Sequence, residues 1–289
     1  MKTFVWIRVA LLCMAGSFVF AACDDGDDDG AARVPSAVRE AFAGQYAGVE
    51  YVDWDAESGG RFVAEFRKDG KEHEAWYEYS GRWIMTEIDY GRNLSWLPQT
   101  VRDGYGLTSY AIGNWTVEDI DEIQRPEYET IYRIEVEKPG QPDYDLYFDL
   151  GGTLFREVPE NGGGSGTAVP QPVPGQIAAF IDSVYRGATV IDFEVDRYGY
   201  EVDIRHDGTV KEVRFGSDYV WVLTSTDCLR NIPETVRAAV ERLYPGKRID
   251  DCDYVEEASG ENYWLVDLDN YSADLKVAAD GTVTETPGR

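Results

Sequence analysis

The sequence has 289 residues, with 54 acidic against 27 basic side chains and a formal net charge of −27. So acidic a surface repels nucleic acid and anionic lipid head groups, because proteins bind both mainly through Lys and Arg, and we exclude nucleic acid as a partner. The length suits two domains of about 150 residues.

Residues 1–22 have the pattern of a lipoprotein signal peptide. Lys2 and Arg8 accompany an apolar run that ends at Ala22, directly before Cys23. This order resembles a bacterial lipobox, which implies cleavage before Cys23 and acylation of its sulfur. The alternatives are an ordinary signal peptide cleaved near Ala21 or Ala22, or a membrane anchor, for which the run is marginal against the roughly 20 residues of a span.

Residues 23–33 are predicted to form an acidic tether. The stretch from Asp24 to Gly30 contains only Asp and Gly, and a run this charged stays solvated. It resembles the acidic export signal of Bacteroidetes surface lipoproteins. A calcium loop is less suitable because no Glu occupies the twelfth position. We therefore expect an exported, outer-membrane-anchored lipoprotein at the cell surface or otherwise on the periplasmic face, held to the membrane only by its lipid.

Four short amphipathic helices are predicted, each opened by an apolar residue and a proline. Proline suits the first position of a helix, and apolar residues then recur at helical spacing. Each helix is followed by strand-like alternation and a tight turn that contains glycine. The chain is therefore an internal repeat of four copies, which begin at Val34-Pro35, Leu97-Pro98, Val173-Pro174 and Ile232-Pro233.

The four copies pair into two domains. The stretch between proline and turn is short in the first and third copies and longer in the second and fourth. The second and fourth copies also share a helix entry, Leu97–Arg102 against Ile232–Arg237. We therefore predict one pair over residues 34–158 and another over 173–289. Residues 159–172 form the linker, with flexible glycines and stiffening prolines.

The strands have an apolar side and a polar side. In the first copy Phe62, Ala64 and Phe66 alternate with more polar residues before the turn at Asp69-Gly70. In the third copy Tyr200, Val202 and Ile204 hold the same places. Alternation with a period of two is typical of an antiparallel sheet with one face on a core. One helix on one face of a four-stranded sheet satisfies the pattern in each copy.

These motifs together resemble a known family. The segments Val52-Asp53-Trp54, Phe62–Phe66, Asp69-Gly70 and Gly81-Arg82-Trp83 resemble the PepSY-like, β-lactamase-inhibitor-like domains common in secreted proteins of Bacteroidetes, over nearly the whole mature chain. The resemblance implies an α+β fold: tandem repeats of a helix packed on a four-stranded antiparallel sheet, paired into two domains like that of β-lactamase inhibitor protein. In that protein a broad, partly concave sheet holds an enzyme.

No catalytic or metal-binding constellation is predicted. The two histidines, His73 and His206, lie beside hairpin turns in different domains, which argues against a shared metal site. The motifs of nucleophilic hydrolases, zinc proteases and nucleotide-binding loops do not occur in the sequence. The abundant carboxylates serve solubility. We therefore expect neither an enzyme nor a cofactor.

Two cysteines, Cys228 and Cys252, remain in the mature chain besides Cys23. An even pair in an oxidising compartment is typical of a disulfide. It would link the end of the third copy's last strand to the chain after the fourth helix. The alternative is two buried thiols.

The outward sheet face of the first pair is the predicted partner site. Trp76 lies between Glu74 and Glu78 on the side that alternation assigns to water, where an aromatic anchor suits a protein partner or a sugar ring. The alternative is that Trp76 packs against the neighbouring copy's sheet or a loop. We predict a non-catalytic lipoprotein that binds a protein, inhibitor-like or accessory; the alternative is a carbohydrate-binding or nutrient-capture lipoprotein. The candidate residues are Trp76, Val63, Glu65, Ile131, Arg133 and Tyr147.

Overall fold

The computed structural model describes residues 34–57, 59–159 and 171–287. The predicted signal peptide, the tether with Cys23 and most of the predicted linker lie outside these ranges. Among the described residues, no helix is long and apolar enough to cross a membrane. The described residues form five α-helices, two single turns of 3₁₀-helix and sixteen strands.

The first sheet is built from eight strands in chain order, with helices before β1 and between β4 and β5. The helices are α1 (Ser36–Gln45), α2 (Gln99–Gly106) and α3 (Ser109–Ile112), with a 3₁₀ turn at Leu94–Trp96. The strands are β1 (Asp53–Glu57), β2 (Arg61–Lys68), β3 (Lys71–Glu78), β4 (Trp83–Asp89), β5 (Thr116–Gln124), β6 (Ile131–Glu137), β7 (Tyr144–Phe148) and β8 (Leu154–Pro159).

The second sheet repeats this arrangement. Its helices are α4 (Gly175–Val184) and α5 (Glu234–Leu243), with a 3₁₀ turn at Leu229–Asn231. Its strands are β9 (Thr189–Val195), β10 (Gly199–His206), β11 (Thr209–Gly216), β12 (Trp221–Asp227), β13 (Ile249–Glu257), β14 (Asn262–Leu268), β15 (Ala273–Ala278) and β16 (Val283–Pro287).

Each sheet has eight strands, so the predicted four-stranded sheets are wrong. The first and second copies join where β4 pairs with β5, from Thr86↔Gln124 to Asp89↔Asp121. The third and fourth join in the same way through β12 and β13. The physical reason is that a separate four-stranded sheet would leave the backbone of β4 or β12 unpaired, and the next copy supplies the missing partner. Two α+β domains result, each with an antiparallel sheet.

The prolines stand at the N-caps of the helices, one position earlier than the sequence predicts. Pro35, Pro98, Pro174 and Pro233 all have extended ψ angles near 140–150°. The apolar stripes face the sheets as predicted: α1 buries Val38 and Phe42, and α4 buries Ile177 and Ile181.

The main cores lie between the helices and one face of each sheet. Phe62, Ala64 and Phe66 are buried there with Val38 and Phe42, which confirms the predicted alternation. In the third copy Val202 and Ile204 are buried and Tyr200 packs at the margin. We call this side the helix face and the opposite side the outward face.

A tyrosine, a threonine and a tryptophan form the same hydrogen-bonded group in the first and third copies. The Trp83 indole donates to Thr86 Oγ1 at 3.0 Å, which lies 2.6 Å from the Tyr46 hydroxyl. Trp221, Thr224 and Tyr185 repeat this geometry with distances of 3.0 and 2.7 Å. The group ties the end of each helix to its fourth strand.

Cys228, directly after β12, is a neighbour of Cys252 in β13. The Cys228 N–H donates to the Cys252 carbonyl at 2.7 Å. Both side chains are thiols, and the adjacent Cys228 thiol, together with burial, raises the pKa of Cys252. The disulfide stays a prediction, and the two residues are placed where it could form.

Candidate functional site

Most of the predicted partner site is buried. Val63, Trp76, Ile131 and Tyr147 lie on the outward face, as alternation predicts, but Trp76 is only 8% exposed and the other three are less exposed still. They form a second core, which we call the interdomain cluster. Its other members are Ile84, Met85, Ile123, Phe155 and Val158 of the first sheet and Ile191 and Val210 of the second.

The prediction that these four residues are accessible to a partner is therefore wrong. Alternation along a strand distinguishes the two faces of a sheet, but it does not show whether a second domain covers the outward one. Here Ile191 and Val210 of the second sheet complete the cluster. The Trp76 indole N–H has no hydrogen-bond partner among the described residues, so this tryptophan is held by packing alone.

A β-bulge brings Ile191 to the first domain. Asp192 pairs with Asp203 and Val190 pairs with Ile204, so Ile191 is an extra residue in β9. Val190 belongs to the helix-face core, whereas Ile191 is buried in the interdomain cluster. Bulges commonly re-aim a side chain in this way.

Two arginines of the first domain bind acidic residues of β9. Arg125, whose side chain is only 1% exposed, donates to Asp192 Oδ1 at 2.9 Å and to the Ile191 carbonyl. Arg156 donates to Asp192 Oδ2 at 2.8 Å and to Glu194. Asp192 thus accepts from two guanidinium groups, one on each carboxylate oxygen.

The chain after β5 also runs along the edge of β9. Tyr128 and Val190 form a parallel bridge, and the Glu129 N–H donates to the Val190 carbonyl at 2.7 Å. The Glu129 carboxylate accepts from Arg205 Nε at 2.8 Å, and Arg205 also lies 2.9 Å from Asp149. A main-chain contact and charge-assisted hydrogen bonds therefore join the two domains.

The accessible part of the outward face is strongly acidic. Glu65 is exposed, and Arg133 donates through Nε to Asp121 at 3.0 Å. Arg133 lines a cavity of about 270 Å³ with Glu72 and with five carboxylates that we call the acidic band. The acidic band consists of Glu74, Glu87, Asp89, Asp119 and Asp121.

The acidic band crosses the junction between the first two copies. Glu74 and Glu87 are cross-strand partners on β3 and β4, and Asp89 and Asp121 are partners on β4 and β5. Opposed like charges weaken a sheet. Burial raises the pKa of Glu87 to about 7 against the attraction of Arg133, and burial followed by Asp121 raises the pKa of Asp119 to about 6.

Part of the acidic band has the spacing of a cation site. One side-chain oxygen each of Asp89, Asp119 and Asp121 lies within 4.8 Å of the others, and oxygen ligands suit Ca²⁺ and Mg²⁺. Arg133 already supplies a positive charge at Asp121, so the group serves equally as a partly neutralised acidic surface.

The aromatic residues do not form a flat outward platform. Six of the described tryptophans are at least partly buried, in the helix-face cores or the interdomain cluster, and only Trp96 is exposed. His73 is buried and stacks on Phe66 with ring centroids 5.0 Å apart, and burial lowers its pKa. This placement gives His73 a packing role.

Sequence reasoning missed the residues that hold the two domains together. Arg125, Glu129 and Arg156 carry no local pattern that distinguishes them from solvated charges. Their partners lie dozens of residues away, in the second domain. Only the apolar character of Val63, Trp76 and Ile131 at outward positions signalled a covered face.

One family profile matches both sheets. The family described as "Putative beta-lactamase-inhibitor-like, PepSY-like" matches residues 60–156 and 198–285. One matched segment falls in each sheet, and together they cover more than half of the chain. No curated protein matches the sequence.

Several solved structures from Bacteroides are similar to parts of this chain. A BLIP-like protein from Bacteroides fragilis is 30% identical, covering 46% of this chain and 91% of its own, with a TM-score of 0.41. A DUF2874 family protein from Bacteroides ovatus is 25% identical, covering 45% and 91%, with a TM-score of 0.42. A structure described as "putative periplasmic proteins" from Bacteroides eggerthii is 24% identical, covering 44% and 88%, with a TM-score of 0.40.

Proposed function

Because this chain belongs to the PepSY-like family, whose description is beta-lactamase-inhibitor-like, we propose that it is a non-catalytic exported module that binds a positively charged protein partner. The family membership confirms the resemblance drawn from the repeat motifs. It supports a binding role without naming a target. The chemistry of the partner is inferred from the accessible part of the outward face.

The acidic band carries this proposal. Five carboxylates line one cavity with a single arginine and a sixth carboxylate, Glu72. A sheet that opposes Glu74 with Glu87 and Asp89 with Asp121 loses stability by like-charge repulsion. A basic partner would remove that repulsion and gain charge-assisted hydrogen bonds. Carbohydrate binding is the weaker alternative, because the tryptophans of the described residues do not gather in an outward plane.

The proposal is tested by capture with the mature chain without Cys23, residues 24–289. Immobilised protein is mixed with envelope extract of the source organism, and bound proteins are identified before and after elution with salt. The test variant is Glu87→Gln/Asp89→Asn/Asp119→Asn. The control, Glu40→Gln/Asp182→Asn/Glu241→Gln, removes the same number of charges from exposed helix positions.

We expect one basic protein to be retained by wild type and control and to bind at least 10-fold more weakly to the variant. Its binding should strengthen from pH 5.5 to 8 as Glu87 and Asp119 ionise. Equal capture by all three proteins would contradict the proposal.

Anchoring through Cys23 is part of the same proposal. Cys23→Ala should move the protein from the membrane fraction to the soluble exported fraction. Partition of wild type and variant into detergent to the same extent would exclude acylation. Protease treatment of intact cells distinguishes the cell surface from the periplasmic face.

A further inference from the structure

The edge strands β1 and β9 are equivalent in the repeat, and only one of them is covered. Tyr46 and Tyr185 end the first and third helices. Asp53 and Asp192 lie the same number of residues after these tyrosines and therefore correspond to each other. The registers agree, because Asp53 pairs with Glu65 and Asp192 pairs with Asp203.

The covered strand shows what this edge binds. On β9, Asp192 accepts from Arg125 and Arg156, and Glu194 accepts from Arg156. The segment around Tyr128 runs parallel to β9 and forms the bridge to Val190. The occupant is therefore the chain after β5, whose main chain contacts the edge at Tyr128 and Glu129. Arg125 of this chain and Arg156 of β8 bind the acidic side chains.

The equivalent positions on β1 are open. Asp53 and Asp55, which correspond to Asp192 and Glu194, are both exposed. Tyr51, two residues before Asp53, is 85% exposed. A cavity of about 800 Å³ lies here, lined by Tyr51 and Asp53 together with Glu65, Phe66 and His73. The first domain thus has an uncovered copy of the surface that the second domain uses in the interface.

Both domains have a row of acidic residues that crosses three neighbouring strands. Asp53, Glu65 and Glu74 follow one another across β1, β2 and β3. In the second domain Asp192, Asp203 and Glu212 follow one another across β9, β10 and β11. Directly opposed carboxylates are unfavourable in a sheet. In the second domain, arginines of the first offset this cost at Asp192.

We infer that the β1 edge, residues Glu50–Asp55, is a docking site for an arginine-bearing segment of a partner protein. The segment adds to the sheet edge through its main chain, and its guanidinium groups bind Asp53 and Asp55 in the bidentate manner that carboxylates favour. The inference rests on the proposed function and specifies the surface and the chemistry of the partner.

The probe is a fluorescein-labelled peptide that copies residues 123–131 with Glu127→Arg. The substitution adds a second guanidinium to that of Arg125, because Arg156, the other arginine on β9, belongs to β8 and is absent from the peptide. A second peptide has citrulline at both arginine positions, which keeps the shape without the charge. A third is N-methylated at the position of Glu129, whose N–H donates to the Val190 carbonyl in the interface. Binding to residues 24–289 is measured by fluorescence anisotropy and mapped by amide chemical shifts.

We expect the arginine peptide to shift the amides of residues 50–57 and to bind at least 10-fold more tightly than either control peptide. Asp53→Asn/Asp55→Asn should weaken binding at least 10-fold. The matched variant Asp182→Asn/Glu241→Gln, which removes two exposed charges from helices, should leave binding unchanged.

Three outcomes overturn the inference. Shifts centred on Glu87 and Asp121 would place the basic segment on the acidic band and not on the edge. Equal binding of the citrulline peptide would remove the role of arginine. Failure of the arginine peptide to bind, while the mature chain still captures a basic protein through the acidic band, would reject the edge site and leave the proposed function intact.

Discussion

The outward faces of the two sheets occupy equivalent places in the repeat, yet equivalent residue pairs on them are buried in the first domain and partly exposed in the second. In the first domain the cross-strand pair Val63↔Trp76 lies in the interdomain cluster. The equivalent pair in the second domain is Glu201↔Arg214, an ion pair of 2.8 Å in which the arginine side chain is 45% exposed. The first domain therefore has an apolar pair in its interior at the place where the second domain has an ion pair at its surface.

A β-bulge at equivalent positions in the two domains shows the same contrast in burial. The register between β3 and β4 shifts so that Ile84 is an extra residue, and Val222 is its equivalent between β11 and β12. Ile84 is 6% exposed and Val222 is 46% exposed. The backbone is repeated, whereas burial depends on the other domain. The fold alone therefore does not determine which outward face is available to a partner.

Trp76→Ala should have the largest effect, because it empties the centre of the interdomain cluster. Replacement of a buried aromatic residue by alanine costs about 3–5 kcal/mol. Chemical denaturation of residues 24–289 measures the free energy of unfolding. Arg214→Ala is the matched change at the equivalent surface position and should cost less than about 1 kcal/mol. Similar losses in both variants would contradict the contrast between the two faces.

Arg125→Ala should lower the free energy of unfolding by about 3 kcal/mol. Loss of one partner from a buried ion pair typically costs about 3–5 kcal/mol, and Arg156 remains to compensate Asp192. We expect faster proteolysis near the linker as well. If the variant unfolds at the wild-type denaturant concentration, the contacts on β9 contribute little to joining the domains.

The predicted Cys228–Cys252 disulfide should stabilise the second domain by about 3 kcal/mol according to the chain-entropy estimate for a loop of this length. Mass spectrometry of the exported protein, with and without reductant, establishes whether the bond forms. Reduction or Cys228→Ser should then lower the melting temperature of the second domain. A mass that corresponds to two free thiols in exported protein would reject the prediction.

Glu87→Gln should have the smallest effect and should stabilise the protein at high pH. The pKa of Glu87 is raised to about 7 by burial, so the folded state binds a proton more tightly than the unfolded state. Its stabilising contribution is complete below about pH 4.5 and is lost as the pH rises through 7. At pH 8 the variant should gain about 1–2 kcal/mol, with a flatter pH dependence. The same gain in Glu40→Gln would show that only net charge matters.

The strands and their helix face could be predicted from local sequence patterns. Contacts between residues far apart in the chain could not. The alternation at Phe62, Ala64 and Phe66 and the turn at Asp69-Gly70 are encoded within one hairpin, so the strands and their helix face follow from the sequence. The eight-stranded sheet depends on pairing of β4 with β5 across an intervening helical segment, which no local pattern specifies. Burial of Trp76 depends on Ile191 and Val210, more than a hundred residues away.

Every strand in each sheet pairs with the strand next to it in the chain. Neighbouring pairings close short loops at a low cost in chain entropy, so the first sheet can form hairpin by hairpin while the nascent chain is still emerging. Its apolar outward face then exists before Ile191 and Val210 have been synthesised. Nascent chains stalled before β9 should therefore bind hydrophobic dyes and general chaperones, and those that extend past β11 should release them.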